Sequence, residues 1–340
     1  MSSHPRRTTR EAAASVQDPS CPRRGSRARR PSIGGTLFTR TRRRLAAAII
    51  PLAFVACSTA AEPVALPTAS TAPPSSAPAE ALAEHALAGL EARFDARLGV
   101  YAVDTRSGRS IAHRAYERFA YASTVKVLAA AVVLDRTTPA ELAQAVPYDS
   151  SELVAHSPVT EERLAAGMTL GELAEAALRH SDNTAANLLL DRIGGPQALD
   201  AALAAFGDDV TTVVRDEPEL NDTAPGDDRD TSTPRALAAD LRAFAVGDAL
   251  AEEDRAQLVD WMTGNATGRA LVRAGVPADW HVADKSGTAA YGTRNDIAVV
   301  YPPEGEPIVV AVMSDRDLPD DEHDDALVAE PARIVVEALR

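Results

Sequence analysis

The period of the hydrophobic positions changes several times along this chain, and each change predicts a different element. From Ala81, residues Leu82, Ala86, Leu87, Leu90 and Phe94 recur at three- and four-residue spacings, which predicts a helix. Leu98–Asp104 reads as a strand, Thr105–Gly108 as a hairpin turn and Ser110–His113 as the returning strand. A stretch rich in Ala, Leu and Glu runs from about Ser123 to Phe206, with breaks at Gly167 and Gly194-Gly195, and reads as several helices. Residues 215–234 lack periodicity and form a loop of about twenty residues, a length that in a compact domain usually signals function. Helices follow near 235–246 and 251–263, then strands over Trp280–Lys285, Asn295–Tyr301 and Ile308–Met313, and a last helix over Asp325–Leu339. Strands near both ends with helices between them predict an α/β (α+β two-domain) fold. Its antiparallel sheet is flanked by helices and formed by both termini, and an all-helical domain is inserted.

Charge divides the chain differently. Its 340 residues carry −14, but residues 1–44 hold twelve arginines against Glu11 and Asp18, a net of +10 that leaves −24 for the rest. An acidic folded part argues against nucleic acid or anionic lipid as its partner. The basic block precedes an apolar run, Leu45–Ala56, too short for an ordinary membrane-spanning helix. Basic, then apolar, then small residues is the layout of an export signal, here residues 1–57. Phe54-Val55-Ala56-Cys57 resembles a bacterial lipobox, which would make Cys57 the lipidated mature N-terminus; ordinary cleavage near Ala60-Ala61 is the alternative. Arg42-Arg43-Arg44-Leu45 also reads as a twin-arginine signal. Residues 58–80, rich in Pro, Ala, Ser and Thr, read as a disordered tether, leaving 81–340 as the globular part. Cys21 and Cys57 both precede it, so no disulfide or thiolate metal site is available there. The seven histidines show no metal-ligand spacing. Neither a metal nor a cofactor is expected.

Of the 35 basic residues two are lysine, Lys126 and Lys285, and each sits in a short motif. Arginine cannot be deprotonated in proteins, whereas a desolvated lysine amine can, so these two places need an amine. Ser123-Thr124-Val125-Lys126 opens an apolar helix and puts hydroxyl and amine on one face. Helix position and desolvation both lower the amine's pKa there. The other motifs are Ser181-Asp182-Asn183 and Lys285-Ser286-Gly287-Thr288, where a glycine at a strand end permits close approach of a ligand. Alone, the serine motifs also read as helix caps. Together and in this order, the three resemble the motif set of serine β-lactamases and penicillin-binding proteins. The loop sequence Arg215-Asp216-Glu217-Pro218-Glu219-Leu220-Asn221, ending near Asp230, resembles the omega loop of class A serine β-lactamases. Ser157-Pro158-Val159-Thr160-Glu161 and the segment from Ser181 to Leu190 extend the likeness from about residue 85 to the C-terminus.

This resemblance implies an α/β part (81–120 with about 265–340), a helical part (about 121–264, with the omega loop 215–230) and a site between them. It implies hydrolysis of the β-lactam amide of penicillins and of cephalosporins through an acyl-serine. Ser123 is the implied nucleophile, its proton passing to Lys126 or, through a water, to Glu217. Backbone N–H groups of Ser123 and Thr288 form the oxyanion hole, and Ser181 protonates the lactam nitrogen. Asn183 binds the substrate's amide side chain. Lys285, Ser286 and Arg294 receive its carboxylate, since two cations and a hydroxyl suit that group. Glu217 and Asn221 hold the hydrolytic water. Asp182 and Asn187 are scaffold, and Arg215 with Asp230 closes the loop's neck. His156 stands where relatives place an aromatic residue, and the Thr288 hydroxyl is expected near the oxyanion hole, favouring cephalosporins. Neighbouring Ala122 and Ala289 exclude the disulfide some relatives place there. A monomer acting on a small molecule in the cell envelope is expected. Two rivals are a D,D-peptidase, which lacks the Glu217–Asn221 pairing, and a non-catalytic lipoprotein that binds wall fragments on the same fold.

Overall fold

The structure, a computed structural model, describes residues 77–340. The export segment, Cys57 and most of the tether lie outside the described residues. Helix α1 (Ala77–Phe94) leads into β1 (Arg97–Asp104), β2 (Ser110–His113) and β3 (Phe119–Ala120). Then come α2 (Val125–Arg136), α3 (Pro139–Leu142), β4 (Ala145–Val146), α4 (Pro158–Arg163) and β5 (Met168–Thr169). Helices α5 (Leu170–Arg179), α6 (Asn183–Ile193) and α7 (Pro196–Phe206) precede the long loop, which returns through β6 (Thr231–Ser232). The chain ends with α8 (Pro234–Ala245), α9 (Glu252–Thr263), α10 (Val272–Gly275), β7 (His281–Thr288), β8 (Arg294–Tyr301), β9 (Ile308–Asp315) and α11 (Ala326–Leu339).

Five strands form one antiparallel sheet in the order β2-β1-β9-β8-β7, so N- and C-terminal strands meet at β1–β9 as predicted. Side chains alternate across a strand, and β9 uses both faces. Val310 and Val312 join Leu87, Leu90, Val335 and Val336 from α1 and α11, while Val309, Ala311 and Met313 pack with the helical part. Both faces are covered, which explains why the long strands read as continuous apolar runs. Within the helical part, α2 is buried on every side from Val125 to Leu134. A helix apolar all round must lie at a centre, and Lys126 is the one charge in that buried run.

The structure corrects the sequence reading in three places. Helix α1 begins at Ala77, inside the segment assigned to the tether. Its buried stripe is Ala83, Leu87 and Leu90, whereas Leu82 is exposed; alanine and leucine on both faces hid the register. The strand read over Trp280–Lys285 runs on to Thr288, so the motif expected at its end forms the last four residues of β7.

Two carboxyl groups are buried away from the cleft described below. Asp240 on α8 pairs with Asp208, at the start of the segment entering the long loop. In each, Oδ2 meets no donor among the described residues, and a proton kept on Asp240 supplies the hydrogen bond between the two carboxyls. Burial, and then the Asp208 charge, pushes the Asp240 carboxyl up from 3.8 to about 9. Between those values the folded chain holds a proton that the unfolded chain has released. The pair's contribution to stability is therefore complete in acid and falls as pH rises toward about 9. Asp240→Asn, whose amide can donate to Asp208, is expected to flatten that slope. Its urea midpoint should gain on the parent's from about pH 5 to about pH 9; parallel curves would refute the retained proton.

Candidate active site

The chain passes from β3 into α2 through a single turn of 3-10 helix, Ala122–Thr124, which carries Ser123. Ala122 holds φ at 50°. His156, Ser181 and Asp230 also hold positive φ, at 60°, 55° and 55°, so strained backbone surrounds the same region. Two neighbours on the sheet fix the turn. Asn295 of β8 donates from Nδ2 to the carbonyls of Ala120 at 2.7 Å and Tyr121 at 3.2 Å. Gly287 of β7 lies so close that a Cβ there would stand 2.9 Å from Tyr121 O and 3.2 Å from Ser123 N. The group that needs this glycine's missing side chain is thus the Ser123 turn itself, rather than a ligand.

Behind Ser123 lies a buried charge cluster. Lys126 Nζ sits 3.0 Å from Glu217 Oε1, and both side chains are 1% exposed. The same ammonium donates to Asn183 Oδ1 at 2.6 Å and Ser181 O at 2.8 Å. These three acceptors match its three protons. The Ser123 hydroxyl donates instead to Glu217 Oε1, at 3.3 Å. One carboxylate oxygen therefore receives both the hydroxyl and the ammonium, where the sequence suggested a direct Ser123–Lys126 contact. Desolvation lowers the Lys126 pKa, with the Glu217 charge opposing it.

Lys285 Nζ donates to Ser181 Oγ at 3.1 Å and to Ser286 O at 2.8 Å. Lys126 Nζ reaches the same Ser181 oxygen at 3.3 Å. Lys285 donates to that oxygen and neither ammonium can accept, so Ser181 must send its own proton elsewhere. Burial, and then the charge of Lys126, brings Lys285 down to about 7. Thr288 Oγ1 accepts from Arg294 Nη1 at 2.8 Å, and Arg294 Nε donates to Asp325 at 2.7 Å. The Thr288 hydroxyl, expected beside the oxyanion hole, is thus engaged by Arg294.

The long loop presents Glu217 because Asn187 of α6 holds its backbone twice: Nδ2 donates to Glu217 O at 2.7 Å, and Oδ1 accepts from Glu217 N at 2.8 Å. Asn221 Nδ2 donates to Glu217 Oε2 at 2.6 Å. At the loop's neck Asp230 pairs with Arg215 and also accepts from Tyr121 Oη and two backbone N–H groups, Val214 and Arg215. Asp182 caps α6 and accepts from Ala185 N, Val159 N, Thr160 N and Thr160 Oγ1, tying α4 to α6.

Ser123, His156, Ser181, Asn183, Asn221, Ser286, Gly287, Thr288 and Arg294 line one cleft of about 300 Å³. Lys126, Glu217 and Lys285 are buried behind its wall, and Asp182, Asn187, Arg215 and Asp230 support it from outside. The cleft includes one residue the sequence reading missed, Thr267. Tyr121 and Asn295, which brace the site from below, were missed as well. Nothing in their local sequence marks them, because long-range pairing alone brings them there. A larger hollow of about 510 Å³ lies between Thr223–Asp228 and the ends of β1 and β9. It contains none of the serine or lysine motifs.

Gly287→Ala tests the packing of β7 against the Ser123 turn. The added methyl should force strand and turn apart, costing about 1–3 kcal/mol in urea denaturation. A variant as stable as the parent would show that the turn yields freely.

The profile described as "Beta-lactamase enzyme family" matches residues 82–339. A beta-lactamase of Amycolatopsis lactamdurans is 59% identical over 266 residues, covering 78% of this chain and 88% of that protein. One from Bacillus licheniformis is 52% identical over 252 residues, covering 74% and 82%. The crystal structure of a class A beta-lactamase from Clostridium kluyveri DSM 555 superposes with a TM-score of 0.75 at 47% identity, covering 76% of this chain and 98% of that one. With this agreement in sequence and fold, the chain belongs to the beta-lactamase enzyme family, class A.

Proposed function

We propose that the cleft residues divide the work of β-lactam hydrolysis as follows. The family's reaction opens the lactam amide through an acyl-serine and confers β-lactam resistance. Ser123 Oγ attacks the lactam carbonyl, and its proton leaves toward Glu217 Oε1. The C–N bond breaks as Ser181, whose proton is turned away from both lysines, protonates the departing nitrogen. Ser181 Oγ takes a proton back from the Lys126 ammonium. Lys126 takes the Ser123 proton from Glu217, which is a carboxylate again before the water step. Arg294 and Ser286 hold the substrate carboxylate at the cleft wall, the Lys285 charge behind them adds its attraction, and backbone N–H groups of Ser123 and Thr288 stabilise the oxyanion. Asn183 Oδ1 keeps one lone pair for the substrate's side-chain amide, and His156 borders the same entrance. A water then loses a proton to Glu217 and adds to the acyl carbon. The Ser123 ester breaks, and the proton returns to Ser123. Asn221 Oδ1, buried with no partner among the described residues, is the acceptor for that water's second proton.

The observation that carries this reading is the single oxygen, Glu217 Oε1, shared by the Ser123 hydroxyl and the Lys126 ammonium. A penicillin-binding protein needs no such base for deacylation. We extend the proposal to an α/β part (81–120 with about 265–340), a helical part (about 121–264) and a monomeric, exported enzyme anchored through lipidated Cys57. Among the described residues no helix is long and apolar enough to cross a membrane.

Glu217→Gln removes the base of both steps. It should slow acylation and stall deacylation more severely, since Lys126 remains beside Ser123 only in the first. Intact mass after benzylpenicillin should show one lasting adduct per chain, while the parent turns over with none. Unimpaired turnover by the variant would remove Glu217 from the role. The pH profile tests Lys285. Its cation, the form that attracts a carboxylate, is lost as pH rises through about 7. The value of kcat/KM, which reports the free enzyme, should fall on that alkaline side. Lys285→Arg, whose guanidinium stays charged, should lack that limb; an identical limb in the variant would assign it to another group.

A further inference from the structure

Thr267, which belongs to none of the motifs, stands over the carboxylate end of the cleft. Its Oγ1 lies 2.6 Å from Ser286 Oγ and 2.7 Å from Asn265 Oδ1. The turn that carries it is fixed from beneath. Asn265 Oδ1 also accepts from Thr267 N at 3.0 Å, and Asn265 Nδ2 donates to Asp284 Oδ2 at 2.5 Å. Asp284 in turn is paired with Arg273. Gly268 completes the packing, because a Cβ there would stand 1.7 Å from the same Asp284 oxygen.

Counting protons couples the direction of this contact to the Thr267–Asn265 contact. Thr267 has one hydroxyl proton and two oxygen neighbours, of which Asn265 Oδ1 can only accept. If Thr267 donates to Asn265, Ser286 must donate to Thr267, and Ser286 then turns lone pairs toward the cleft. If Thr267 donates to Ser286, the Ser286 proton is released toward the cleft, where an anion can take it. Asn265 Oδ1 keeps its bond from Thr267 N in both arrangements, so a joint rotation of the Thr267 and Ser286 hydroxyls separates them.

We propose that Thr267 is a positioning residue that sets the direction of the Ser286 proton and thereby favours β-lactams bearing a free carboxylate. The inference rests on the reading that Ser286 receives that carboxylate. Its test compares benzylpenicillin with its methyl ester, whose slow turnover is followed at high enzyme concentration. Thr267→Val should raise KM for the acid roughly 3- to 10-fold, the scale of one neutral hydrogen bond, with kcat little changed. Hydrolysis of the ester should be unaffected, and Thr267→Ser should restore the parent's preference. Thr267→Ala serves as the second hydroxyl-free variant if Thr267→Val does not fold. Equal losses on acid and ester would show a merely structural role and overturn the proposal. Ser286→Ala separates the two ways of failing. If it lowers the preference for the acid while the Thr267 variants leave it intact, the Thr267 role alone falls. If Ser286→Ala also leaves it intact, the assignment of the carboxylate to Ser286 falls with it.

Discussion

The arrangement of the site follows from one buried ion pair, Lys126 with Glu217. Burying two charges costs several kcal/mol per ion unless every proton and lone pair is met, and removing one partner of such a pair costs about 3–5 kcal/mol. The surrounding residues meet that demand. Ser181 O and Asn183 Oδ1 take the remaining ammonium protons, Asn221 Nδ2 and Ser123 Oγ occupy the carboxylate, and Asn187 holds the backbone beneath it. These partners come from the Ser123 turn, α6 and the long loop. Satisfying the pair therefore locks three otherwise separate segments into one geometry. The same satisfaction aims the Ser123 hydroxyl at a carboxylate.

A second lysine sharpens the arrangement. Lys285 enters from the sheet and reaches the Ser181 oxygen that Lys126 also touches. Two cations this close oppose each other, and the repulsion adds to burial in lowering the Lys285 pKa. The sheet must hold Lys285 there against that repulsion. It does so through an edge strand whose Gly287 packs on the Ser123 turn and whose buried Asp284 is pinned by Arg273 and Asn265. An edge strand also leaves one row of backbone groups free of sheet partners, which is what a ligand lying along β7 requires.

Much of this was legible in the sequence. The β1–β2 hairpin and the α8 and α9 helices follow from turn residues and apolar spacing, and the three C-terminal strands from continuous apolar runs, which a sheet covered on both faces requires. The rarity of lysine pointed to Lys126 and Lys285; the loop's lack of periodicity marked residues 215–234 as functional, and the resemblance to the omega loop singled out Glu217 and Asn221 within it. Where the pattern is weak, the reading slipped. Helix α1 has alanine and leucine on both faces, so its buried stripe could not be told from its exposed one.

By itself, the sequence determined which chemical groups are present and which local element carries each, since hydroxyl, amine and carboxylate identities and helix or strand periods are local properties. Only the tertiary structure decided which oxygen Ser123 addresses, why Gly287 must lack a side chain, and that Thr267, Asn295 and Tyr121 belong to the site at all. Those are contacts between segments far apart in the chain, set by the packing of the sheet edge, α2 and the loop. No spacing rule within a single segment encodes them.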